Sequence, residues 1–136
     1  MISRRFAAIT VAALASSSSL PAAQLPLCDD GKRVNCIVDG DTLWLDGTKI
    51  RIADIDAPEL SKPHCQRELA LAERATVRLQ SLLNDGRFEL APADRDEDAY
   101  GRKLRLVMRG SQSIGDILVS EGLARRWDGA RRSWCD

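Results

Sequence analysis

Carboxylates crowd the ends of three apolar runs. Asp39 and Asp41 flank Gly40 between the runs 34–38 and 42–45, and Asp54, Asp56 and Glu59 gather at the end of the run 48–55. Carboxylates this close repel one another unless a cation neutralises them, and hard oxygen ligands favour calcium or magnesium over zinc or copper. Arg51 lies inside the third run between Ile50 and Ile52, and Arg102 follows the turn-forming Asp98-Ala99-Tyr100-Gly101. An arginine fork can hold two oxygens of one phosphate and stays charged while phosphorus gathers negative charge. A carboxylate such as Glu59, with a free pKa of about 4.3, is a weak base but can position or deprotonate a water. On residue type alone the pattern suits a carboxylate site for a hard cation, lying near cationic groups that could receive phosphates. Each residue alone has a plainer explanation: Asp-Gly-Asp is common turn chemistry, Asp54 reads as a surface carboxylate, Arg51 as an ion-pair partner, and His64, the only histidine, as an exposed loop residue. Their joint occurrence is what points to a site.

The elements that must position these residues follow from periodicity and turn residues. Runs 34–38 and 42–45 read as strands, Asp46-Gly47 as a two-residue hairpin turn, and 48–55 as the return strand, closed by Ala57-Pro58. Alternation places Ile50 and Ile52 on one face and Arg51 on the other. It also puts Arg51 and Asp56 on opposite faces, so sharing a site requires a bend at the strand end. Leu69, Ala72, Thr76, Leu79 and Leu83 recur at three and four, which predicts an amphipathic helix over 66–84 that Asp85-Gly86 ends. A strand over 87–90, an acidic loop over 92–99, a strand over 103–108, a turn at Arg109-Gly110 and a short helix capped by Ser113 and stopped by Gly122 complete the order. The class is α+β. Pattern alone leaves a partly open barrel and a flat sheet with two helices equally open.

Residues 1–23 have the layout of a secretory signal peptide, with Arg4 and Arg5 before an uncharged stretch and small residues at Ala22 and Ala23. The expectation is a leader over 1–23 and one domain over 24–136, exported to the periplasm or medium and not inserted in a membrane once the leader is removed. In that compartment Cys28, Cys36, Cys65 and Cys135 read as two disulfides; no C-x-x-C pair supports zinc. Four cysteines allow three pairings. The turn signal Asp29-Asp30-Gly31-Lys32 favours Cys28–Cys36, which leaves Cys65–Cys135. Twenty basic residues balance twenty acidic ones, so a general electrostatic coat for nucleic acid is not expected. The basic excess is confined to residues after Gly101, where Arg102, Lys103, Arg105, Arg109, Arg125, Arg126, Arg131 and Arg132 face only Asp116, Glu121, Asp128 and Asp136. A cationic surface beside a carboxylate site would receive phosphates.

Three segments in this order resemble the metal and phosphate motifs of the staphylococcal nuclease (thermonuclease) family: 38–43 with Asp39-Gly40-Asp41, 50–59 with Arg51, Asp56, Ala57 and Glu59, and 98–102 with Tyr100 and Arg102. Residues 117–124 resemble the stretch that closes the family's barrel. The resemblance implies a five-stranded OB-fold barrel with two or three helices. It implies calcium held by Asp41, Asp56 and the main-chain carbonyl of Ala57, where the family usually has threonine. Glu59 would serve the attacking water, and Arg51 and Arg102 would grip the phosphate. Tyr100 is identified with a residue that hydrogen-bonds phosphate. The substrate implied is DNA, RNA or both, cut with low sequence specificity to leave 3′-phosphate ends, by a protein expected to be a monomer. After Ala124 the chain departs from the family's tyrosines and further helix, and Trp127 is either a stacking platform for a base or a plug on the barrel. A noncatalytic nucleic-acid binding module and an extracellular calcium-binding or interaction domain are the alternatives.

Overall fold

The computed structural model describes Ala12 and residues 24–136. The expected leader, Ala12 aside, lies outside the described residues. The chain folds as β1 (Cys36–Asp39), β2 (Thr42–Leu45), β3 (Thr48–Ile52), β4 (Ile55–Asp56), α1 (Gln66–Asn84), β5 (Glu89–Glu97), β6 (Lys103–Arg109), β7 (Gln112–Ser113), α2 (Ile114–Ser120) and β8 (Arg125–Arg126). β1, β2 and β3 form an antiparallel meander. β3 then pairs in parallel with β6, and β6 in turn pairs with β5, while β7 pairs with β6 off this path and β4 with β8 form a separate two-stranded ladder. This is an α+β fold with OB-type strand order; among the described residues the ladder runs from β1 to β5 without closing into a ring.

The core lies between the curled sheet and the two helices. Ile37, Leu43, Ile50, Ile52 and Ile55 meet Leu79 and Leu83 of α1, Ile114 and Leu118 of α2, and Val107 of β6, all of them buried. Each such side chain stabilises the fold by about 1.5–3 kcal/mol on burial. α1 spans the range its periodicity predicts. The hairpin between β2 and β3 turns on Asp46 (φ 48°) and Gly47 (φ 79°), both left-handed, as a two-residue turn of type I′ requires.

Two elements differ from the sequence expectation. The run 48–55 is not one strand: β3 stops at Ile52, and β4 begins at Ile55 with a new partner, β8. The bend is held from within, because the Arg51 guanidinium donates through Nη1 to the Ile55 carbonyl at 2.7 Å and to the Ile52 carbonyl. The acidic stretch after Leu90 is not a loop but the outer half of β5, with an irregular register between Pro92 and Glu97. β5 is an edge strand, so the N–H that proline lacks costs no ladder bond there.

The segment joining β4 to α1 is tied at its far end. Cys65 caps α1, and one turn in, the buried Glu68 carboxylate accepts from the His64 N–H at 2.6 Å and faces the His64 ring nitrogen at 2.7 Å. Disulfides join Cys28 to Cys36 and Cys65 to Cys135. By restricting the unfolded chain, bonds of this kind contribute about 2–4 kcal/mol each. Burial pushes the Glu68 carboxyl up, yet hydrogen bonds from the backbone and ring of His64 and from the Glu59 backbone outweigh it and hold its pKa below the usual value. A carboxylate with a depressed folded pKa adds stability that is present above its unfolded pKa and lost as pH falls through the folded one. Glu68→Gln should therefore cost about 1.5–3 kcal/mol at pH 7. The difference from wild type should shrink as the pH drops below about 4.3, as read from urea unfolding at a series of pH values.

Candidate active site

The bend after β3 brings Arg51 between two carboxylates. Its Nη2 lies 3.4 Å from Asp41 Oδ2 and 3.6 Å from Asp56 Oδ1, and all three side chains are buried. Asp41 is fixed independently: Oδ1 accepts from the Thr42 hydroxyl at 2.9 Å, and Oδ2 from the Ala57 N–H at 2.8 Å. The β1–β2 turn and the segment after β4 are thus joined through one aspartate. Gly40 makes this approach possible, since a Cβ there would stand 2.8 Å from the Ala75 Cβ and 2.9 Å from the Ala57 Cβ.

Negative charge exceeds positive charge at this point. Burial raises the Asp39 carboxyl well above its ordinary pKa, and the charge of Asp41 raises it further. Asp56 is also raised, chiefly by burial and then by Asp41, with Arg51 and Arg131 pulling the other way. Such a group of acids, short of one positive partner, is the electrostatic setting in which a hard divalent cation would ionise them all. Among the described residues no three His, Cys, Asp or Glu side chains converge as a ready ligand set. Asp41 and Asp56 with the Ala57 carbonyl would supply part of a shell, leaving the rest to water and phosphate oxygens.

Glu59 joins the cluster electrostatically, adding to the repulsion at Asp39 and Asp56, and its Oε1 pairs with Arg131 Nη1 at 2.5 Å. Arg102 sits across a cleft of about 530 Å³ whose walls include Arg51, Arg102, Arg131, Tyr100 and Trp127. It is held by Asp98, whose Oδ2 accepts from Nε at 2.6 Å and whose Oδ1 accepts from the Tyr100 and Arg102 N–H groups at 3.0 Å. Gly101, at φ 79°, allows that tight turn. Tyr100 is 86% exposed, with the Arg102 guanidinium 5.5 Å from its ring centre; Trp127 is 41% exposed, with Arg51 at 5.9 Å. Trp127 is therefore a wall of the cleft with an open face rather than a buried plug.

The structure thus gathers Arg51, Asp41, Asp56 and Ala57 into one buried knot and places Arg102, Tyr100 and Trp127 in the cleft beside it. Three features were not read from the sequence. Asp98 as the clamp on Arg102 was legible in principle from their separation of four residues across a turn. Arg131 opposite Glu59, seventy-two residues away, left no local signal. Asp54 is no free surface carboxylate: its Oδ2 accepts from the Ser113 hydroxyl at 2.6 Å, which ties the bend after β3 to the cap of α2.

A small α+β domain with OB-type strand order, a buried arginine–carboxylate knot and an arginine-lined cleft with aromatic walls defines a recognisable class. Residues 49–133 match the family of staphylococcal nuclease homologues, and the chain belongs to that family. Endonuclease YncB of Bacillus subtilis (strain 168) is 36% identical over 94 residues, which cover 65% of this chain and 44% of that protein. Thermonuclease of Staphylococcus hyicus is 30% identical over 93 residues, 65% of this chain and 54% of that protein. Micrococcal nuclease of Shigella flexneri is 32% identical over 104 residues, 70% of this chain and 52% of that protein. The chain spans about half the length of these relatives.

Gly40 gives the site a sharp steric test. Gly40→Ala must push the β1–β2 turn away from α1 and Ala57, and overpacking of this kind costs about 1–3 kcal/mol. A lower urea midpoint with an unchanged slope is expected; a variant as stable as wild type would contradict the close approach.

Proposed function

We propose that this chain is an exported, calcium-dependent phosphodiesterase that hydrolyses DNA, RNA or both with low sequence specificity. The observation that supports this most strongly is the Arg51 knot opening onto a cleft that also holds Arg102. One arginine is paired with two buried acids, and both arginines line the same cleft of about 530 Å³. Membership in a family whose named relatives are nucleases supports the same reading. The two disulfides suit an oxidising compartment, the periplasm or the medium, and no helix of the described residues is long and apolar enough to cross a membrane.

In this mechanism Arg51 and Arg102 bind the phosphate from two sides and strengthen their hold as the five-coordinate phosphorus gains charge. Glu59 holds the attacking water and takes its proton while the new bond to phosphorus forms. The bond from phosphorus to the 5′ oxygen breaks as the new one forms, that oxygen takes a proton from solvent to leave as a 5′-hydroxyl, and the phosphate stays on the 3′ side. Asp41, Asp56 and the Ala57 carbonyl would hold the calcium, which when bound supplies Lewis-acid polarisation of the phosphate. Trp127 and Tyr100 offer ring faces on which a base can stack, a contact of about 1–3 kcal/mol that does not depend on sequence.

Replacing either arginine by lysine keeps the charge but loses the fork. Arg51→Lys and Arg102→Lys should each lower turnover on single-stranded DNA and RNA on the order of a hundredfold to a thousandfold, with Arg78→Lys on α1 as the silent control. Folding is checked by circular dichroism, because Arg51 also holds the bend after β3. Near-native turnover by either folded variant, or full activity of wild type in chelator, would sink the reading.

A further inference from the structure

Residues 127–136 are anchored to the domain at three places. The Trp127 N–H donates to the Asp54 carbonyl at 2.9 Å. The Arg125 guanidinium lies 3.7 Å from the centre of the buried Trp134 ring and donates to the Arg132 carbonyl at 3.1 Å. Cys135 is bonded to Cys65, the residue that caps α1. Between these anchors Arg131 reaches Glu59 and also lines the cleft that holds Arg51 and Arg102.

The contact with Glu59 uses one guanidinium nitrogen, whereas arginine carries five N–H donors. The Arg131 side chain is 56% exposed, so a phosphate can reach the others. An exposed arginine–glutamate pair contributes little stability by itself. What the anchoring does is confine a flexible cation to the mouth of the cleft, which lowers the entropy lost when it meets a ligand. We propose that Arg131 is a third phosphate-binding arginine of this cleft, held there by the Cys65–Cys135 bond, which makes that bond a requirement for substrate binding as well as for stability. With one N–H on Glu59 and another on a phosphate oxygen, Arg131 ties the water-holding carboxylate to the phosphate under attack. Its effect on turnover rests on the phosphodiesterase reading; its effect on binding does not.

The test is fluorescence anisotropy of a labelled single-stranded oligonucleotide in chelator, where binding is read without cleavage, followed by steady-state cleavage with calcium. Arg131→Ala should weaken binding by about five- to twentyfold and reduce the salt slope by about one. Arg131→Lys should recover part of the loss, and in cleavage Arg131→Ala should raise KM more than it lowers kcat. The double variant Cys65→Ser/Cys135→Ser should bind as weakly as Arg131→Ala, and adding Arg131→Ala to it should change little. Wild-type binding by folded Arg131→Ala overturns the proposal, as does a folded serine pair in which Arg131→Ala still has its full effect. If the serine pair does not fold, the Arg131→Ala binding arm decides alone. Wild-type protein that binds in this pattern yet never cleaves would remove the phosphodiesterase reading and leave the role of Arg131 standing.

Discussion

A buried guanidinium that bridges two buried carboxylates is the interaction on which the rest of this domain turns. Arg51 faces Asp41 and Asp56 and at the same time donates to the main chain at Ile52 and Ile55. Ions taken out of water this way are costly unless each is paired and hydrogen-bonded, and removal of one partner from a buried pair typically costs about 3–5 kcal/mol. The knot therefore fixes the β1–β2 turn, the end of β3 and the start of β4 relative to one another. Because Asp56 pairs through its backbone with Arg125, the knot also fixes β8 and, two residues on, the Trp127 wall of the cleft. Fold and site are here the same set of contacts.

That coupling explains what was and was not legible in the sequence. α1 was clear because Ala72, Thr76, Leu79 and Leu83 repeat at helical spacing, and the β2–β3 hairpin because Asp46-Gly47 suits left-handed backbone at both turn residues. β3 was read too long. Strand alternation sees Ile50, Ile52 and Ile55 as one apolar run and cannot see that a side chain, Arg51, will bond to the carbonyls on either side of a bend. β5 was read too short because Pro92 and the charges after it resemble a loop unless the strand is known to be an edge. OB-type order was not in the pattern at all, since the parallel pairing of β3 with β6 joins residues about fifty apart. It entered only through resemblance to a family.

The site residues named from resemblance divide in the same way. Asp41, Asp56, Ala57 and Arg51 belong to neighbouring segments, and their convergence needed only the bend. Arg102 and Tyr100 come from the turn between β5 and β6 and reach the cleft because β6 runs beside β3. Asp39 makes the turn bond its position suggests, its Oδ1 accepting from the Asp41 N–H at 3.1 Å, and that same turn carries it against the knot. Burial, and after it the charge of Asp41, raises its pKa, and no local pattern reports how deeply a fold will bury a charge or how many it will crowd into one place.

On the proposed mechanism, the excess of buried negative charge around Arg51 is a place for calcium that substrate phosphate completes. Calcium accepts six to eight oxygens at flexible angles, and two aspartates with one carbonyl would bind it weakly alone, at about 10⁻⁴–10⁻³ M. A phosphate oxygen added to that shell must tighten it, and calcium must tighten nucleotide binding by the same factor. The direct measurement is calorimetry of calcium binding to chelator-stripped protein, with and without a short single-stranded oligonucleotide. Weak binding that strengthens at least tenfold with the oligonucleotide and is lost in Asp41→Asn is expected. Calcium affinity unchanged by oligonucleotide, or retained in Asp41→Asn, would contradict it.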